Sequence, residues 1–148
     1  MSVPHPGGDP NVMLYEGLKR DVLARLPQIT TVEYVPDDVE AKRLRATFDP
    51  VRLEPPTGPD AMLVVTWYRA TPHDWFRVNY SDPNTDLHAG WHQDEDHTDL
   101  GPTHAQCTVD GHTDRWAVTF EHETPSLVLW EILEALLETV LPAFHPEG

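Results

Sequence analysis

The apolar residues near the start of the chain recur with the period of a helix. They lie four residues apart: Leu14, Leu18, Val22 and Leu26. This spacing places them on one face of an amphipathic helix that opens at Pro10-Asn11 and stops at Pro27. Because the residues before it are rich in proline and glycine, we predict a flexible leader over residues 1–10.

The last part of the chain predicts a second helix. Thr124 is suited to cap it, and Pro125 fits the first turn, where its missing N–H costs little. The apolar stripe that follows has helical spacing: Leu129, Leu133, Leu136 and Val140. The acidic residues of the same segment predict a solvated face: Glu131, Glu134 and Glu138. Pro142 ends the helix.

Between the two helices, short segments rich in β-branched and aromatic residues predict a succession of strands. The segments are 29–35, 43–48, 62–68, 75–80, 87–92, 103–109 and 115–120. Residues 49–60 are rich in proline and predict a long turn with a short extended piece at 51–53. Asp110-Gly111 predicts a tight hairpin turn.

This order of elements favours an α+β fold, with the N- and C-terminal helices packed on one face of a mostly antiparallel sheet. We predict a single domain over residues 11–148. Residues 62–68 are apolar at both parities, which predicts a central strand covered on both sides.

In the next two segments apolar and polar side chains alternate, so each strand has one apolar and one polar face. The face opposite the apolar one carries Trp75, Arg77 and Asn79 in the first segment, and His88, Gly90 and His92 in the second.

The charge of the chain is strongly negative. Its formal net charge is -15, from 25 acidic and 10 basic residues, and only Lys19 and Lys42 are lysines. Carboxylates keep a surface hydrated, and molar salt shortens the Debye length to about 3 Å, which relieves their repulsion. We therefore predict a halophilic protein. Nucleic-acid binding is disfavoured, though not excluded, because phosphates are bound by Lys and Arg.

The cysteine count and the N-terminal residues bear on the compartment. Cys107 is the single cysteine, so no intrachain disulfide can form, and a reducing cytoplasm fits. No signal peptide or membrane span is visible. We expect a protein partner or self-association, such as a homodimer. We expect no association with a membrane.

Histidines interleaved with acidic residues form the most suggestive cluster for chemistry. They are His88, His92, His97 and His104, with Asp94, Glu95, Asp96 and Asp99 between them. Imidazoles and carboxylates bind zinc and other divalent ions, and the candidate ligands are His92, His97, His104, Asp94 and Asp96. His88 and His92 would lie roughly 13 Å apart on one strand, and no HExxH or paired CxxC pattern is present. A solvated acidic loop without a cofactor is therefore the favoured interpretation.

The same histidines are candidates for general acid–base catalysis on a phosphodiester. The candidate residues are His88, His92, His97 and His104, with Arg77 as their electrostatic partner. A cation would be needed to stabilise the charged transition state. The alternative for Arg77 is a surface ion pair, and Cys107 is expected to be a core residue.

Several short motifs resemble the TumE family, toxin components of toxin–antitoxin pairs with haloarchaeal relatives. The motifs are 61–68, Phe76-Arg77-Val78-Asn79-Tyr80, Trp91 with the loop 92–104, and the helix after Thr124-Pro125-Ser126. The family pattern has Arg-Trp-Asp at the end of a strand, where this chain has Gly90 and His92 around Trp91. If the family acts on RNA, the missing cation and the added carboxylates imply weak binding or cleavage here.

The sequence therefore favours a halophilic α+β domain that binds a partner without catalysis. Two alternatives stay open. One is a toxin-like protein that acts on RNA, and the other is a metal-binding protein that uses the histidine and aspartate loop.

Overall fold

A computed structural model describes residues 10–37, 42–53, 60–70, 73–93 and 101–143. Helix α1 spans Pro10–Asp21 and is followed by a 3-10 turn, Leu23–Arg25. Helix α2 spans Pro125–Ala135 and continues through a π-helical segment, Leu136–Val140, into a last α-helical turn, Leu141–Ala143. Apart from Pro10, with which α1 begins, the predicted leader lies outside the described residues.

Seven strands lie between the helices. They are β1 Ile29–Val35, β2 Arg43–Phe48, β3 Met62–Tyr68, β4 Trp75–Asp82, β5 Leu87–Gln93, β6 Thr103–Val109 and β7 His112–Ala117. They form one sheet in the order β1-β2-β3-β4-β5-β6-β7, with every pair antiparallel. The prediction of an α+β fold is confirmed. Within the described residues, no helix has the length and apolar character needed to cross a membrane.

The sheet has two unlike faces. We call the side that packs on the helices the inner face; its apolar residues form one core with Tyr15 and Leu18 of α1 and with Leu129 of α2. We call the other side the outer face. On β3, Val65 is completely buried, whereas its neighbour Val64 on the outer face is half-buried. The expectation that β3 is covered on both sides is wrong, because both helices pack on the inner face.

Tyr15 ties α1 to the sheet. Its hydroxyl donates to the carbonyl oxygen of Lys42 at 2.6 Å and accepts from the backbone N–H of Trp67 at 3.1 Å. The ladder between β2 and β3 begins at the pair Leu44–Val65. The hydroxyl therefore links β3 to the segment that leads into β2, just beyond the end of their ladder, where these backbone groups would otherwise lack partners.

Several local predictions differ from the structure; α1, for example, ends at Asp21 and gives way to a 3-10 turn before the predicted end at Pro27. Strand β7 begins at His112, directly after the Asp110-Gly111 turn, three residues before the predicted start. Both turn residues have positive φ, 51° and 80°, as a tight hairpin requires. Residues 50–52 form a 3-10 turn instead of an extended piece, because Pro50 stands in its first turn and Asp49 accepts from the N–H of Val51. The side chain of Thr124 makes no capping hydrogen bond to α2.

Candidate functional site

The arginines of the described strands all lie on the outer face. Strand pairing places four arginines on it: Arg43, Arg45, Arg77 and Arg115. Glu33 is the only carboxylate at an outer-face position of the seven described strands, and it pairs with Arg45 at 3.1 Å. Within the seven described strands, all four arginines but only one of the three carboxylates thus lie at outer-face positions.

Strand register aligns three of the predicted catalytic residues across the outer face. Directly opposite residues form a continuous row from β3 to β7: Thr66, Arg77, His92, His104 and Ala117. Opposed side chains on one face of an antiparallel sheet are in contact range. The rings of His92 and His104 meet edge to face, with centroids 5.1 Å apart. We call these five residues the histidine row.

A hydrogen bond to Asn79 orients the imidazole of His92. Its Nε2 lies 2.8 Å from Asn79 Oδ1, and because an amide oxygen only accepts, Nε2 carries the hydrogen. In the neutral ring, Nδ1 is then the basic atom. Gly90 leaves room for this contact, since a Cβ there would lie 2.4 Å from Asn79 Oδ1 and 2.9 Å from His92 Nε2.

Two aromatic rings adjoin the cationic end of the histidine row. The guanidinium of Arg77 lies 5.2 Å from the ring centroid of Trp75, in the range of a cation–π contact. The ring of Trp75 is 5.3 Å from that of Tyr68, its partner on β3. We call Tyr68, Trp75 and Arg77 the stacking cluster. His92 is half-buried beside it, whereas His104 is only 1% exposed.

The remaining predicted site residues divide into two groups. His88 lies on the outer face outside the row, opposite Ser81 and Thr108, with its Nε2 3.7 Å from Asp86. The others lie outside the described residues: His97, Asp94 and Asp96, together with Glu95 and Asp99. A metal site built from His92, His97, His104, Asp94 and Asp96 stays a prediction.

A different group of side chains, of the types that can bind a metal ion, joins α2 to the segment before it. Ligand atoms of Glu121, His122 and Glu131 lie within 4.8 Å of one another. Glu131 accepts from the backbone N–H of Glu121 at 3.0 Å and of His122 at 3.1 Å, and its Oε2 lies 3.0 Å from His122 Nδ1. Burial alone would raise the pKa of Glu131, but these hydrogen bonds outweigh it and the pKa is lowered.

Sequence reasoning missed this group, because helical spacing predicts a solvated face for Glu131 and its partners are nine and ten residues away. The carboxylate is already used as a clamp that holds the segment before α2 against the helix. No feature of the sequence pattern indicates this contact.

Sequence reasoning also missed a cleft at one end of the sheet, of about 530 Å³. Its walls come from the β3–β4 connection, from the ends of β5 and β6, and from the segment before α2. Asp74 organises it, accepting from Trp67 Nε1 at 3.0 Å and Arg69 Nε at 3.0 Å. Gln93 donates to the Asp74 carbonyl oxygen at 2.6 Å. Gln93 follows His92 on β5 but lies on the inner face, and of the histidine row Ala117 lines the cleft.

Cys107 takes no part in these sites. It is buried on the inner face, and burial, with a smaller effect of the Asp114 charge, raises the pKa of its thiol to about 11. The thiol therefore stays protonated near neutral pH, as expected for a core residue.

Comparisons of the chain with protein-family models, with curated proteins and with solved structures give no match.

Proposed function

We propose that the outer face of the sheet binds single-stranded RNA. The observation that carries the proposal is the segregation of charge: in a chain of net charge -15, all four arginines of the described strands lie on one face, where Glu33 is the one carboxylate at a strand position. Phosphate binding requires local cations rather than a positive total. At molar salt the carboxylates elsewhere are screened beyond about 3 Å.

The stacking cluster supports a ligand with bases as well as phosphates. Aromatic rings on an open sheet stack unpaired bases, and arginine contributes both a charge and a planar surface. Tyr68 and Trp75 lie side by side next to Arg77, and His92 is the following residue of the row. A base on the rings would bring its sugar and phosphate towards Arg77 and His92. An imidazole at this place in the row could contact a 2′-hydroxyl, the group that distinguishes RNA from DNA.

Binding is tested with a fluorescent 12-nucleotide oligouridylate, by anisotropy, over a series of KCl concentrations at which the protein stays folded. We expect Arg77→Ala and Trp75→Ala each to weaken binding about tenfold, since one stacked base contributes about 1–3 kcal/mol. Arg77→Ala should also reduce the salt dependence, by about 0.7 in slope for each phosphate that the variant no longer binds.

Arg20→Ala is the matched control, because Arg20 lies on α1 and pairs with its neighbour Asp21 at the surface. It should change the affinity less than twofold. Absence of RNA binding, or an equal loss in Arg20→Ala and Arg77→Ala, contradicts the proposal.

Cleavage of the bound RNA is the second candidate, favoured by the two imidazoles of the row at 5.1 Å. His92 would take the proton of a 2′-hydroxyl, the 2′-oxygen would attack phosphorus, and a protonated His104 would give a proton to the departing 5′-oxygen. Arg77 would offset the charge on the phosphoryl oxygens. The products are a 2′,3′-cyclic phosphate and a 5′-hydroxyl. RNA binding is the first candidate function and cleavage the second, because His104 is almost completely buried and therefore hard for a bound RNA to reach.

A substrate with one ribonucleotide in a DNA strand tests this step, since cleavage should occur only at that position. His92→Ala should abolish it, and His88→Ala should preserve it because His88 is outside the row. Products that persist in His92→Ala would show a contaminating nuclease and leave binding without catalysis.

The remaining expectations from the sequence enter the proposal unchanged. The resemblance to TumE proteins implies at most weak action on RNA, which the binding assay measures, and the scarcity of lysine motivates assays at molar KCl. The protein would act in a reducing cytoplasm, where Cys107 stays a thiol.

A further inference from the structure

Helix α2 exposes apolar side chains on the surface that faces away from the sheet. Leu127 is 46% exposed and Trp130 is 36% exposed, and residues three apart on a helix are neighbours. One groove beside Trp130, of about 490 Å³, includes Leu127, Ala135 and Thr139 in its wall. A second, of about 390 Å³, lies between α2 and Leu26. We call the two the α2 grooves.

Carboxylates surround the α2 grooves. Their rims carry four glutamates: Glu121, Glu131, Glu134 and Glu138. Glu131, Glu134 and Glu138 recur along the helix at the spacing of one turn, so they form a line parallel to the apolar strip. No lysine or arginine of the described chain lines either groove. An apolar patch with a charged rim is typical of a protein-binding surface.

We propose that the α2 grooves bind a basic amphipathic helix of another protein, which places an apolar residue against Trp130 and its cations along the exposed Glu134 and Glu138. The charge pattern selects this occupant. A helix repeats its cations every three or four residues, as the glutamates of α2 repeat, and an apolar face in a groove is a known mode of helix recognition.

A second copy of the chain fits less well. A two-fold contact through α2 would bring Glu134 and Glu138 of one copy near the same glutamates of the other, and like charges oppose such a contact. The cations of the described strands lie on the outer face, on the opposite side of the sheet from α2.

The probe is a synthetic 18-residue peptide with arginine and leucine at helical spacing and blocked termini, titrated in 1 M KCl and followed by calorimetry. Trp130→Ala should weaken its binding at least tenfold. Trp116→Ala is the matched control, since Trp116 is 37% exposed but lies on β7. It should change the affinity less than twofold.

The double variant Glu134→Gln/Glu138→Gln tests the charge without touching the core, because both side chains are exposed. We expect a severalfold loss, with Glu16→Gln on α1 unchanged. A peptide with glutamate in place of arginine should not bind.

Three results would overturn the proposal. The first is no binding of the basic peptide. The second is an equal loss in the Trp130 and Trp116 variants, which would mean that the peptide does not bind specifically in the α2 grooves. The third is self-association of the wild type in sedimentation that Trp130→Ala abolishes, which would make a second copy the occupant.

Discussion

The outer face of the sheet and the exposed surface of α2 lie on opposite sides of the same core, and they carry opposite charge. Arginines and histidines occupy the outer face, whereas glutamates line the α2 grooves. The net charge of -15 describes neither surface. Partners are selected by the local field over a Debye length rather than by the total, so one acidic chain can offer separate sites for an anionic and a cationic partner.

The largest expected effect concerns the two sides of β3. Val65→Ala should lower the free energy of unfolding by about 2–3 kcal/mol, because it opens a cavity in the core. Val64→Ala, one residue away on the outer face, should cost below about 1 kcal/mol. Urea denaturation of both variants at one KCl concentration measures the difference. Equal losses would mean that the outer face is also covered.

Tyr15→Phe tests how α1 is held on the inner face. It removes a hydroxyl that contacts Lys42 and the backbone of Trp67 and leaves buried backbone groups without that partner. We expect a loss of about 1–2 kcal/mol in unfolding free energy. Tyr68→Phe, on the outer face, should have almost no effect on stability, and a similar loss in both variants would contradict the bridging role.

Glu131→Gln tests the clamp at the start of α2, with an expected loss of about 1 kcal/mol at pH 7. The pKa of Glu131 is lowered in the folded chain from an ordinary value of 4.5. The ionised clamp therefore stabilises the fold above pH 4.5, and this contribution is lost as the pH falls through the lower folded value. Wild type and variant should converge in stability at acid pH. A difference that is constant with pH would exclude the ionised clamp.

Gly90→Ala should have the smallest effect on stability, because the atoms that a methyl group would meet are the ends of two side chains. A loss below about 1 kcal/mol is expected. The contact between Asn79 and His92 should break, so the ring resonances of His92 should move in an NMR spectrum while those of His112 do not. Unmoved His92 resonances would mean that the contact tolerates a methyl group.

The sequence carried enough information to predict the fold. Periodicity, together with proline and turn signals, placed α1, α2 and most strand bounds, and alternation correctly put Arg77 and His92 on the polar side of their strands. Those features depend on local spacing and on burial of one face, which any single segment displays.

The alignment of the histidine row could not be predicted in the same way. It depends on the register in which β4, β5 and β6 pair, and the register of a hairpin is set by the geometry of its turn. The charge segregation was hidden for a related reason, because Arg45 and Arg115 are far apart in sequence and share a face only through the strand pairings between them. The role of Glu131 was hidden because its partners come from another segment.

The sequential order of the strands has a consequence during synthesis. Each strand pairs with the one made just before it, so the sheet can form progressively as the chain emerges. Leu129 and its neighbours on α2, which cover part of the inner face, follow all seven strands. Until they appear, a wide apolar surface remains uncovered, and a ribosome-bound chain at this stage is the species most exposed to aggregation and to chaperones.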